Sequence, residues 1–138
     1  MRKIIIIFLI LFNLSPLNAN NLFFEEGIKF YKNKNFTKAK FKFEQDIVFN
    51  PKSELSYLYL SKIFNKQDKK NLEEKNLNTV MLLNPKNEEA IYYLAKLKLI
   101  SSDYKKSKEL NERLKSICRN FCNQSNDLKV EIENLSKK

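Results

Sequence analysis

The chain has 138 residues and a formal net charge of +10, from 26 Lys and Arg against 16 Asp and Glu. It contains no His, no Trp and a single Gly. Without His there is no histidine-based triad, no histidine metal site and no usual general base, and one Gly cannot build a glycine-rich phosphate cradle, so the chain reads as a non-enzyme with no catalytic residue, metal site or cofactor expected.

Met1-Arg2-Lys3 is a short positive region, and Ile4 to Phe12 is an unbroken apolar run. A polar, turn-prone stretch follows and ends in the small residue Ala19. This is the layout of a secretory signal peptide over residues 1–19, cut after Ala19. The run is shorter than the roughly 20 apolar residues a spanning helix needs, so cleavage is expected rather than anchoring. No Cys lies near the cut to carry a lipid. Losing Arg2 and Lys3 lowers the charge by two and leaves a basic domain. Basic balance raises nucleic acid or a membrane surface as partners; export argues against nucleic acid. Lys, Asn and Ile are all frequent and share A/T-rich codons, so part of the charge is compositional.

Beyond Ala19 the informative feature is a repeat. Asn50-Pro51-Lys52 and Asn84-Pro85-Lys86 are identical and lie 34 residues apart, a period that marks stacked helix pairs. Rows set from Asn20, Glu54 and Glu88 align a small column, Gly27, Ser61 and Ala95. They also align the apolar positions Phe23, Tyr57 and Ile91. Phe30 and Phe64 align with Lys98, and Phe43 and Leu77 with Asn111, so both columns turn polar in row three. Two helices pack closely only where a small residue faces the partner, apolar residues at spacings of three and four form the buried stripe, and proline ends a helix and marks the turn. The pattern predicts helices near 21–33, 36–50, 52–65, 69–84, 87–100 and 103–117, with Asn87 as an N-cap ahead of Glu88 and Glu89. A last helix near 126–136, with Leu128, Ile132 and Leu135 on one stripe, is expected to cap row three.

Cys118 and Cys122 are the only cysteines. An even number in an exported chain favours a disulfide. The C-x3-C spacing permits one only if the segment leaves regular helix there; such a short loop contributes roughly 2 kcal/mol in the chain-entropy model. Free thiols or a redox or metal role are the alternatives, weakened because a redox pair prefers C-x-x-C and zinc needs more ligands.

These rows resemble the tetratricopeptide repeat (TPR) family. Row one matches the family pattern at Phe23, Gly27, Phe30, Ala39, Phe43 and Pro51; Glu26 stands where the family has Leu and Asp46 where it has Ala. Row two matches at Tyr57, Leu60, Ser61, Phe64, Leu77 and Pro85, with Glu73 where a small residue is usual. Row three matches at Ile91, Leu94, Ala95 and Ser107, with Arg119 in place of proline. The resemblance implies an all-α, right-handed superhelix of about three helix-turn-helix repeats over 20–120, followed by a Cys-linked tail with a capping helix over 121–138. The tail, from Leu114 through both cysteines to Ile132, is similar to that of small exported TPR proteins of alphaproteobacteria, which implies a Gram-negative periplasmic protein without enzymatic activity.

In the family the first helix of each repeat lines a concave groove. Carried over, the groove positions are Phe24, Ile28, Tyr31 and Lys32 in row one, Leu58, Tyr59, Lys62 and Lys66 in row two, and Tyr92, Tyr93, Lys96 and Leu99 in row three. The family's terminal-carboxylate clamp is missing, since its places hold Phe24, Ile28, Tyr59, Glu89 and Tyr93. The expected function is a periplasmic scaffold or adaptor that binds a protein or peptide, with the lysines favouring an acidic one. The alternative is peripheral attachment to an anionic membrane or envelope polymer through the basic surface, which salt would abolish.

Overall fold

The computed structural model describes residues 22–137, so the expected signal over 1–19 lies outside the described residues. Within that span lie seven helices: α1 Leu22–Lys32, α2 Phe36–Phe49, α3 Glu54–Lys66, α4 Lys70–Leu83, α5 Glu88–Ile100, α6 Tyr104–Ile117 and α7 Cys122–Leu135. Each packs on the next in chain order, and α7 also touches α5. The pairs α1/α2, α3/α4 and α5/α6 are the three expected repeats, and the fold is all-α as expected.

The helix ends repeat as faithfully as the core. The first helix of each pair closes through one residue in left-handed conformation: Lys34 (φ 58°), Asp68 (φ 53°) and Ser102 (φ 61°). After it, the N–H of Asn35, Lys69 and Asp103 donates five residues back, to the carbonyls of Phe30, Phe64 and Lys98, at 2.9 Å in every case. This is a Schellman stop, made here with non-glycine residues although a Cβ disfavours that conformation. Asn35 and Asp103 then cap the second helices by accepting from the N–H of Lys38 and Lys106. Asn87 caps α5 as predicted, accepting from the Ala90 N–H at 2.8 Å.

Gly27, Ser61 and Ala95 are all buried. A Cβ built on Gly27 would lie 2.6 Å from a ring carbon of Phe43, itself fully buried. Polar residues that stand in the buried columns carry their own partners. Asp46 accepts a 2.5 Å hydrogen bond from the Ser56 hydroxyl. Ser107 donates to the Ala95 carbonyl at 2.8 Å. Asn111, in the column of Phe43 and Leu77, donates to the Ser125 carbonyl and accepts from the Ser125 hydroxyl, both at 2.9 Å. Buried polar groups are tolerated when paired in this way.

The capping helix starts at Cys122, four residues ahead of the expected 126. Asn123 and Asn126 are weak helix formers inside its first turns, but three tertiary restraints hold the turn before it. Cys118 leaves α6 in an extended conformation (φ −62°, ψ 142°), and the disulfide to Cys122 spans a Cα–Cα distance of 5.3 Å. The Glu88 carboxylate accepts from the backbone N–H groups of Arg119, Asn120 and Phe121 at 2.9, 2.9 and 3.0 Å. Ser125 pairs with Asn111 as above. Glu54, one repeat earlier, holds the preceding turn in the same way, accepting from the side-chain amides of Asn84 and Asn87. Leu128 and Ile132 are buried as expected, but Leu135 is 40% exposed, because among the described residues no helix follows to cover it.

Two outcomes follow. Gly27→Leu should lower the thermal midpoint: overpacking costs about 1–3 kcal/mol, more than the roughly 0.8 kcal/mol gained in helix propensity, and Phe43→Ala in the same chain should recover part of the loss. Partial desolvation raises the Glu88 carboxyl, but the three N–H donors and Arg119 outweigh it and hold it below the usual carboxylate range. Its contribution is therefore present above the usual carboxylate pKa and lost as pH falls through the lowered folded value. Glu88→Ala should speed amide exchange in 119–135 and leave α1–α3 unchanged.

Candidate binding groove

The first helices α1, α3 and α5 place a run of aromatic side chains along one face. Tyr59 of α3 stacks on Phe43 at 5.1 Å between centroids and meets the edge of Tyr31 at 5.0 Å and of Phe24 at 6.1 Å. Tyr31 also meets Phe36 edge-on at 5.5 Å. On α5, Tyr92 contacts Tyr93 at 5.4 Å and Phe121 at 5.6 Å. These offset and edge-on geometries are the favourable ones for aromatic pairs, and they hold the rings in place.

Of the twelve positions expected to line the groove, Phe24, Ile28, Tyr31, Tyr59, Lys62, Tyr92, Tyr93 and Lys96 are half-buried, and Lys32 and Lys66 are exposed. Leu58 and Leu99 are not presented. They are 2% and 5% exposed and belong to the core shared by α4, α5, α6 and α7. A helix that packs against neighbours on several sides has too narrow an outward face for every polar-flanked position, and these two point inward.

The groove cations are engaged within the protein. Lys62 lies 2.6 Å from Glu89 and 4.7 Å from the centre of the Tyr59 ring. Lys66 lies over Phe36 at 5.5 Å and Lys96 over Tyr92 at 5.8 Å. Cations are attracted to ring faces in this way, and the contact covers the rings as it holds the lysines.

Sequence reasoning missed the acidic members of the face. Glu73 of α4 is 3% exposed. Both its oxygens accept from the Asn65 side-chain amide, at 3.1 and 3.2 Å. It lines a small pocket of about 80 Å³ with Tyr31, Lys62, Lys66 and Tyr93. Among the described residues no cation lies within ion-pair distance of Glu73; Lys62, which lines the same pocket, is paired with Glu89. Burial raises the Glu73 carboxyl above the usual range, against the lowering effect of Asn65, with Asp68 raising and Lys70 lowering it further. Burial likewise raises the Tyr31 phenol, helped by Tyr59 and Glu89. Tyr93 is raised by burial first and then by Glu89, Tyr31, Tyr92 and Glu73. Both phenols are thus neutral donors. The signal in the sequence was the misfit itself: a carboxylate where the repeat calls for a small residue.

No family model matches the chain, and no curated protein matches it in sequence. Solved structures do match its fold. The TPR2B domain of yeast Sti1, in complex with pHsp70, superposes with a TM-score of 0.78 at 12% identity, over 84% of this chain and 97% of that one. The Yersinia enterocolitica type III secretion chaperone SycD, bound to a peptide of the translocator YopD, gives 0.78 at 13% identity, over 91% and 100%. The Arabidopsis OM64 TPR domain gives 0.73 at 21% identity, over 86% and 95%. The chain has the fold of a tetratricopeptide-repeat domain. At these identities the match concerns the fold, and the aromatic face described above lies on the first helices of its three TPR units.

The raised carboxyl has a consequence for stability with a definite sign. A folded-state pKa above the unfolded one means that ionising Glu73 opposes folding, so the penalty grows as pH rises through the usual carboxylate range toward the raised value. Glu73→Gln keeps an acceptor for Asn65 and removes the charge. It should melt higher than wild type at neutral pH, with the gain fading as the pH is lowered below the usual carboxylate range, as followed by circular dichroism.

Proposed function

We propose that the protein is an exported, periplasmic TPR scaffold or adaptor that holds a protein or peptide partner along α1, α3 and α5, and that it carries out no reaction itself. The observation that carries this reading is the half-buried aromatic row from Tyr31 and Tyr59 to Tyr92 and Tyr93, already ordered by ring–ring contacts. Rigid aromatics supply contact area at low entropy cost and dominate binding hot spots. A similar fold is known in complex with a peptide of the translocator YopD, which supports a peptide-binding use of this fold. The charged, apolar and turn-prone segments of residues 1–19 support export, and the Cys118–Cys122 disulfide suits an oxidising compartment.

A photo-crosslinking residue placed at Tyr92 or Lys66, on the groove, should yield discrete adducts in cells of the source organism. The same residue at Lys75 or Lys108, exposed on the second helices α4 and α6, should not. The crosslinked protein should be recovered from the periplasmic fraction with the mass expected after removal of 1–19. Adducts spread equally over both faces and abolished by salt would replace this reading with electrostatic attachment to an anionic surface. Recovery of the full-length chain in the cytoplasm would remove the export component.

A further inference from the structure

Among the described residues, one buried carboxylate on the groove has no cation within ion-pair distance. Glu89 has Lys62 at 2.6 Å, and Glu74, on the same helix as Glu73, has Lys98 at 2.6 Å. Glu73 has the amide of Asn65 and, among the described residues, no cation within ion-pair distance, Lys70 acting on it only from further away, although it is the most deeply buried of the three. A desolvated carboxylate without a counter-charge is costly, and the cost falls on the wall of a pocket that opens on the groove beside the Tyr31 and Tyr93 rings. A carboxylate in a pocket that two tyrosines also line is chemistry that receives a cation, since the charge attracts it and aromatic rings can add to that attraction. Two cations also line the pocket, and each is engaged elsewhere: Lys62 with Glu89 and the Tyr59 ring, Lys66 with the Phe36 ring. At about 80 Å³ the pocket has room for the charged end of a side chain, not for a stretch of backbone.

Resting on the groove reading above, we propose that the Glu73 pocket receives a cationic side chain, Lys or Arg, from the bound peptide, and so sets the register in which that peptide lies. The lysines of the face had suggested an acidic partner. The geometry points instead to a peptide whose anchoring residue is basic, because Lys62 is already neutralised and Glu73 is not. Aromatic contacts along α1, α3 and α5 supply area, and Glu73 supplies the discrimination between peptides, as a buried charge left unpaired by the wrong ligand does.

The test is selection of a random-peptide library on the purified protein as the cell processes it, and in parallel on Glu73→Gln. Peptides are scored as groove-bound by crosslinking to a photoreactive residue at Tyr92. The expected result is a Lys or Arg at one fixed position among groove-bound peptides. Its replacement by norleucine should weaken the dissociation constant by about tenfold or more on wild type, and by much less on Glu73→Gln, whose shape is unchanged. Groove-bound peptides with no fixed cation, or a norleucine loss that persists in full on Glu73→Gln, would overturn the pocket assignment and leave the groove standing. Peptides that bind only away from Tyr92 would overturn the groove reading and this assignment with it.

Discussion

The stack rests on one close approach, made once in every repeat where the first helix presents a side chain that is small or missing. At Gly27 the approach is so close that a single added carbon would enter the Phe43 ring. In the same register Ser61 and Ala95 are buried, and the column that holds Phe43 becomes Leu77 and then Asn111. From the first repeat to the second the small residue gains a side chain, Gly27 to Ser61, and the partner column gives up volume, Phe43 to Leu77, as close packing requires. In the third, Ala95 is no larger than Ser61, and Asn111 is accommodated through its hydrogen bonds to Ser125. Once the pairs are set, α1, α3 and α5 are brought side by side, and the aromatic face follows from their alignment.

Polar residues inside the stack are paired rather than left unsatisfied. Asp46, Ser107, Asn111 and Ser125 are each buried and each has a specific partner on another helix or on the backbone. Such pairs are costly to break and tolerate little sliding. Glu54 and Glu88 extend the logic to the surface, where each sits at the start of a first helix and grips the turn that ends its own repeat. At the C-terminal end that grip, the disulfide and the Asn111–Ser125 pair converge on α7, so the terminal helix is held by polar and covalent contacts as well as by Leu128 and Ile132.

Glu73 stands apart from these residues. It occupies a buried column position, as they do, but its partner is a single amide and, among the described residues, no cation lies within ion-pair distance. Local stability would be better served by a neutral side chain. The candidate groove is mixed in character: aromatic side chains along α1, α3 and α5, exposed lysines at Lys32 and Lys66, and a buried carboxylate in the pocket that Tyr31 and Tyr93 also line.

Much of this was legible in the linear sequence. The 34-residue spacing of the Asn-Pro-Lys turns, the small column and the apolar stripe determined the fold class, the helix order and the repeat boundaries to within a few residues, because these depend on local propensity and on periodicity. The cysteine spacing predicted the break in helix that the bridge requires. What depended on contacts across repeats was not legible. The left-handed stops at Lys34, Asp68 and Ser102 carry no glycine to announce them. Leu58 and Leu99 resembled groove residues until the packing of α3 and α5 turned them inward. The early start of α7 depends on Glu88, some thirty residues away in the chain. The pairing of Lys62 with Glu89, which leaves Glu73 as the unmatched charge, joins different repeats. By itself the sequence determined that helices would stack in pairs with a face rich in aromatics and lysine. Only the tertiary structure decided which of those side chains remain available and which charge lacks a partner, because ion pairing and burial depend on distances between residues that the chain order keeps apart.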